Sequence, residues 1–279
     1  MARVLGDDHL LELVDGRTVG YATWGDPEGT PVFIGHGMPG SRLDRYPGLD
    51  DPQWVRRRRL RFVGVDRPGY GYSDPWAEAT LLDCAGDFVR VADHLGLGRF
   101  WALGVSGGAT YVIALSALAP ERVGRIAVVC GADIGLDEGE TPEVLAADVG
   151  EQARILRENP EEWYAGLVAE VTEADRRVLE RPEVRAFAIE TFQEGVRQDA
   201  VGWIDDVLRQ ERPWPFRLDE IGADVRFHHG EDDTLAPPQY AKELAEGMLG
   251  NRLRLYPGEG HISILDSPIK EIVESVLAP

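Results

Sequence analysis

The chain has 279 residues, 43% apolar and 28% charged, a globular composition that is neither low-complexity nor membrane-like and is long enough for a sizeable core. Its 49 acidic residues against 29 basic ones leave a formal charge of −20 at pH 7, and repulsion excludes nucleic acid and anionic membranes as partners. The charge is uneven: residues 131–222 hold 23 acids and 10 bases, so most of the excess sits in the middle third.

Residues 9–14 and 17–24 are two short apolar runs joined by Asp15-Gly16, the pattern of a hairpin. Unbroken apolar runs follow at 31–35, 62–65, 100–105 and 126–130, the signature of strands buried on both faces of a parallel sheet. Between them Leu81, Ala85, Phe88, Ala92 and Leu95 recur at helical spacing. A second, wholly apolar helix is predicted over 109–119, ended by Pro120. The alternation stops near residue 132 and resumes near 224, with strands predicted at 225–229 and 252–256 and helices at 238–249 and 263–277. The interval 133–219 reads as helical and acidic, with Ile189, Phe192, Val196, Trp203 and Val207 on one helical face. The interruption coincides with the charge step. The domain reading is therefore an α/β core of residues 1–132 and 220–279 carrying a helical cap over 133–219.

Cys84 and Cys130 lie in apolar contexts and read as small core residues, not as a disulfide framework. The N-terminal segment has no apolar signal core, and no run of about eighteen apolar residues occurs, so a cytoplasmic location is expected. Arg56–Arg59 with Arg61 read as a solvated helix end. His228 and His229 lack further ligands at metal-binding spacing, so no metal is expected.

Five short loops carry chemistry, each just past a predicted strand. Gly104-Val105-Ser106-Gly107-Gly108 matches G-x-S-x-G between a strand and a helix, where a sharp turn lifts the serine hydroxyl clear of the sheet. His36-Gly37-Met38-Pro39-Gly40 is a tight turn with outward backbone N–H groups. The N–H groups of Met38 and Gly107 are the candidate donors to a developing oxyanion. His36 has the shape of a base, yet beside Gly37 it is expected to bond the loop. Asp66-Arg67-Pro68-Gly69-Tyr70-Gly71-Tyr72-Ser73-Asp74 reads as a scaffolding loop with Asp66 and Arg67 bonded internally. Gly230-Glu231-Asp232-Asp233 and Gly258-Glu259-Gly260-His261 complete the order Ser…Asp…His, and loops at the carboxyl ends of strands in an open α/β sheet converge on one crevice.

On these motifs the sequence resembles a capped serine hydrolase of the α/β-hydrolase superfamily. The resemblance covers nearly the whole chain for fold and the five loops for chemistry. It implies an α/β-hydrolase fold, with a mostly parallel eight-stranded sheet flanked by helices and a helical cap inserted after the sixth strand. It assigns Ser106 as nucleophile, His261 as base and Asp233 as acid, with Asp232 or Asp133 as competitors for the last role. No cofactor is implied, and the partner is a small-molecule substrate. Phe192 and Trp203 are the first candidates for pocket walls among the cap aromatics. The expected activity is hydrolysis of an ester, lactone or similar carbonyl compound. An aminopeptidase of the proline iminopeptidase kind is an alternative, with Glu190 or Glu194 to bind the amine. A carbon–carbon hydrolase and an acyltransferase use the same triad, and a non-catalytic binding protein is the competing class. The oligomeric state is left open.

Overall fold

The computed structural model describes residues 7–131, 139–248, 250 and 252–277. Eight strands form one sheet: β1 (Asp7–Glu12), β2 (Thr18–Gly25), β3 (Thr30–Gly35), β4 (Leu60–Val65), β5 (Phe100–Val105), β6 (Val123–Val129), β7 (Val225–Gly230) and β8 (Arg252–Tyr256). Their order is β1-β2-β4-β3-β5-β6-β7-β8. The β1–β2 and β2–β4 pairs are antiparallel, and every pair from β4 to β8 is parallel. The β1–β2 pair is a hairpin closed by the tight turn at Asp15-Gly16, where Gly16 takes φ +87°.

Helices cover both faces, as the continuous apolar strands require. Helices α1 (Pro52–Arg58), α2 (Leu81–His94) and α3 (Ala109–Leu118) follow β3, β4 and β5. Among the described residues five helices stand between β6 and β7: α4 (Pro142–Glu158), α5 (Pro160–Glu170), α6 (Glu173–Leu179), α7 (Pro182–Gly195) and α8 (Val201–Gln210). Then α9 (Gln239–Gly247) follows β7 and α10 (Ser267–Leu277) follows β8. One sheet face packs Phe33, Phe88, Phe100, Tyr111 and Phe227 into a core under α2, α3 and α9. The other packs Ile34, Phe62, Leu103, Ile264 and Ile272 under α1 and α10. None of the described helices is long and apolar enough to cross a membrane.

Two expectations change. The stripe Ile189–Val207 does not run along one helix: α7 ends at Gly195, the chain turns through Asp199 at φ +59°, and α8 starts at Val201. Phe192 and Trp203 still meet one apolar cluster, reached from two helices. The helix predicted over 263–277 is broken at Asp266 (φ −96°, ψ −99°) into a 3-10 turn at Ser263–Leu265 and α10. Pro268 explains the restart, since its ring suits only the first turn of a helix. Residues 133–138, at the start of the expected cap, lie outside the described residues.

The insertion α4–α8 has two small apolar clusters of its own. One gathers Leu145, Val149, Leu156, Val196 and Val207, with Met38 of the core packed against it. The other gathers Tyr164, Val178, Leu179 and Val184, with Ile262 of the core packed against it. Each cluster thus closes over one loop at the carboxyl edge of the sheet.

Candidate active site

The turn after β5 is tight because two glycines let strand and helix pass. A Cβ on Gly104 would meet Val112 Cγ2 at 2.5 Å and the Gly108 carbonyl at 2.7 Å, and one on Gly108 would run into the Gly35 carbonyl. Between them Ser106 sits at φ +50°, a left-handed conformation that costs a non-glycine residue free energy and here presents its side chain at the sheet edge. A 3-10 turn over Ser106–Gly108 leads into α3, with Gly107 buried beneath it.

The loop after β7 supplies Asp233, and the loop after β8 supplies His261. His261 Nδ1–H donates to Asp233 Oδ2 at 2.7 Å, which leaves Nε2 as an acceptor. Asp233 is the acid that meets the imidazole. Asp232 is exposed beside it, and Asp133 lies outside the described residues. Asp233 Oδ1 accepts from the N–H groups of Leu235 (3.0 Å) and Ala236 (2.8 Å).

A partner missed in the sequence completes this group. His229 Nε2–H donates to the Ala236 carbonyl at 2.7 Å and lies 3.1 Å from Asp233 Oδ2. Burial alone would raise the Asp233 carboxyl, but the hydrogen bonds from His229, His261 and Ala236 hold it far below the ordinary carboxylate range. The only signal for His229 was its place one residue before Gly230 at the end of a strand.

The loop after β3 is held from below. His36 Nδ1–H donates to the Gly37 carbonyl at 2.8 Å, and His36 Nε2 accepts the Arg67 backbone N–H at 3.2 Å. Burial, then the neighbouring Arg67, push the imidazole well below its usual range, so it stays neutral and bonds its loop, as its position beside Gly37 predicts. The Arg67 guanidinium donates to the carbonyls of His36 (2.5 Å) and Gly37 (3.2 Å). Its remaining charge goes not to its own loop but to Asp206 of α8, at 2.7 Å with both side chains fully buried. Asp206 also accepts from Tyr111 Oη–H (2.6 Å) and Arg209 (2.7 Å). Asp66 does bond internally, accepting the Tyr72 N–H at 2.9 Å, and it pairs with Arg42 at 3.0 Å.

These loops open on a cavity of about 530 Å³ between sheet edge and insertion. Ser106, His261, Gly37 and Met38 line it, and Trp163, Phe187, Phe192 and Trp203 form its aromatic wall. The size and apolar lining suit a small organic ligand. The candidate wall residues Phe192 and Trp203 both line this cavity. Tyr164 instead packs inside the insertion, and Trp214 and Phe216 pack against the main core. Neither Glu190 nor Glu194 lines the cavity: Glu190 is exposed, and Glu194 pairs with Arg42 at 2.6 Å and with Arg197. The carboxylates that do line it are Asp44, Asp50 and Glu183. Asp44 accepts from Thr191 Oγ1 at 2.5 Å, and burial raises its carboxyl.

Among the described residues the one group with metal-ligand proximity is Cys130, Asp233 and His261, whose atoms lie within 4.8 Å of one another. The group does not suit an ion. Asp233 and His261 are committed to each other, and burial raises the Cys130 thiol, so the thiolate a metal needs is disfavoured. Cys84 is likewise buried on α2, with its thiol pushed up to about 12 by burial.

A family model described as alpha/beta hydrolase fold matches residues 30–268. The chain is 27% identical over 276 residues to the AB hydrolase superfamily protein YisY of Bacillus subtilis, covering 90% of this chain and 91% of that protein. It is 29% identical over 190 residues to a probable proline iminopeptidase of Streptomyces coelicolor, covering 63% of this chain and 56% of that one. Among solved structures, the enol-lactonase from Burkholderia xenovorans superposes with a TM-score of 0.73 at 18% identity, covering 97% of this chain and all of the other. An esterase from Exiguobacterium antarcticum gives 0.69 at 21% identity, covering 97% and 98%. With its parallel sheet, its strained serine turn and a model match over most of its length, this chain belongs to the alpha/beta hydrolase fold family.

Proposed function

We propose that this chain is a serine hydrolase that cleaves an ester or lactone with a small-to-medium apolar group, through Ser106, His261 and Asp233. The observation that carries the reading is the His261–Asp233 bond of 2.7 Å, made by an imidazole that lines the same cavity as Ser106. Neutral serine is a weak nucleophile and needs a base. Asp233 fixes the tautomer that leaves His261 Nε2 free to take the Ser106 proton as Oγ attacks the substrate carbonyl carbon. The oxyanion that forms is received by the backbone N–H groups of Met38 and Gly107, each such donor contributing about 10²–10³ in kcat. His261 then returns the proton to the leaving alcohol, which departs as the carbonyl re-forms. Water, deprotonated by the same imidazole, releases the acid and restores Ser106. The helices α4–α8 act as a cap whose aromatic wall holds the acyl or aryl part of the substrate.

Esterase and enol-lactonase appear among the structural neighbours, and proline iminopeptidase among the sequence relatives. Glu190 and Glu194, the carboxylates expected to bind a free amine, are directed elsewhere, which favours the ester reading over that form of the aminopeptidase one; an amine substrate would instead meet Asp44, Asp50 and Glu183 of the cavity lining. The test is a panel of p-nitrophenyl esters, lactones and aminoacyl anilides, run beside fluorophosphonate labelling. Ser106→Ala is expected to lower ester hydrolysis by about 10⁴-fold or more and to abolish labelling, with the circular dichroism spectrum unchanged. Full activity in that variant overturns the assignment. Anilide turnover without ester turnover replaces the ester reading with the aminopeptidase one.

A further inference from the structure

We propose that Asp175, in the first turn of α6, is the positioning residue for His261, so that the base is held in place only while the cap is seated on the core. The proposal rests on the role of His261 given above.

Asp175 is completely buried. Its carboxylate faces the loop after β8 and accepts three consecutive backbone N–H groups of that loop: His261 on Oδ2 at 3.2 Å, and Ile262 (2.9 Å) and Ser263 (2.7 Å) on Oδ1. A buried carboxylate is costly unless it is hydrogen-bonded, and three aligned N–H donors provide that compensation. The next N–H along, that of Gly260, is taken by Ser263 Oγ at 2.8 Å, so the loop's donors from Gly260 to Ser263 are all engaged. Gly260 is what allows the approach, because a Cβ there would run into the Asp175 carboxylate. Asp175 is itself fixed, since its N–H donates to Thr172 Oγ1 at 3.2 Å at the start of α6. The packing of Ile262 against the cap cluster of Tyr164, Leu179 and Val184 fastens the same loop a second time.

The imidazole ring is steered at its far end by Asp233 and at its backbone by Asp175. Asp233 belongs to the core, so it can set the tautomer without the cap. The position of the His261 backbone depends on a carboxylate 86 residues earlier in the chain, in another layer. A displacement of about 1 Å at a catalytic group can cost on the order of 10²-fold in rate.

The experiment compares wild type with Asp175→Asn, Asp175→Ala, Gly260→Ala and the double variant Asp175→Ala/Gly260→Ala. It measures p-nitrophenyl butyrate kinetics and amide hydrogen exchange. Asparagine keeps one acceptor oxygen for Ile262 and Ser263 but turns an N–H toward His261, so it disturbs the base end of the clamp. Asp175→Asn is expected to lower kcat about 10- to 100-fold with KM within twofold. Exchange at residues 261–263 should quicken while the β7 amides stay protected. Gly260→Ala presses on the same contact and is expected to give the same kcat loss. The double variant, which removes the clash, is expected to lose no more than either single change.

A kcat within twofold of wild type in Asp175→Asn overturns the proposal, as does additive loss in the double variant. If Asp175→Asn does not fold, Gly260→Ala and its exchange pattern decide. If wild type shows no Ser106-dependent hydrolysis, the proposed function fails instead, and unchanged exchange at 261–263 still overturns the clamp.

Discussion

The inner and outer faces of the helical layer α4–α8 carry the same residue types and use them in opposite ways. On the outer face, Arg154 pairs with Glu151 and Glu158, and Arg177 with Glu173, all exposed. Such pairs gain little, because water screens them and long side chains lose freedom. On the inner face, Asp206 and Asp175 are wholly buried and Glu194 nearly so, and each is bound to a group of the core: Arg67, the His261 loop and Arg42. A net charge counted along the sequence treats these two populations as one. The inner acids act as fasteners between layers, and the outer ones set solubility and repel anionic ligands.

The contrast can be broken most directly at Asp206. Asp206→Asn leaves Arg67 and Arg209 buried without a counter-charge, which costs about 3–5 kcal/mol. That corresponds to a Tm loss of roughly 10 °C by calorimetry. A loss below 2 °C would mean that the inner face is no different from the outer.

A second test asks which layer fails in acid. The segment 133–219, for all its carboxylates, contains no histidine. The core holds two histidines whose pKa burial lowers from the ordinary 6.5: His36, pushed well below that range, and His228, lowered to about 4. Between those values the unfolded chain binds a proton that the folded chain refuses. The stability is therefore fully present above pH 6.5 and lost as pH falls toward 4, by about 3 kcal/mol for His228 alone. His228→Gln should flatten the dependence of Tm on pH across that window. An unchanged slope would assign acid lability elsewhere.

The cap wall gives a smaller effect, confined to binding. Trp203→Ala should raise KM for an aryl or butyryl ester about tenfold, or 1.4 kcal/mol, with kcat little changed. A fall in kcat alone would place Trp203 outside the binding surface. The smallest change is expected at Arg154→Ala, within about 0.5 kcal/mol of wild type by denaturant titration.

The same division explains how much could be read from the sequence. The central strands were legible because residues such as Val32-Phe33-Ile34 and Ala127-Val128-Val129 are buried on both sides and show as unbroken apolar runs. Ser106, His261 and Asp233 were legible because glycines flank each loop, and the structure shows why at Gly104 and Gly108. The cap helices were blurred, since their apolar positions serve two small clusters and one apparent stripe crosses the turn at Asp199. Their starts were nonetheless marked by Thr141-Pro142, Asn159-Pro160 and Arg181-Pro182. Asp175 and Asp206 carried no mark at all. In a chain with 49 acids, a carboxylate that seeks an N–H or a guanidinium in another layer looks like any solvated one.

The pair Arg67–Asp206 also bears on exchange of parts between relatives. Arg67 stays with the sheet and Asp206 travels with the insertion. A chimera that received only the helices would leave Asp206 with Arg209 alone, and one that kept only the sheet would strand the Arg67 guanidinium. Recombination breakpoints at the two ends of the insertion therefore call for parents that supply a partner for each of these groups, which makes this contact a compatibility key for shuffling the helices that line the cavity.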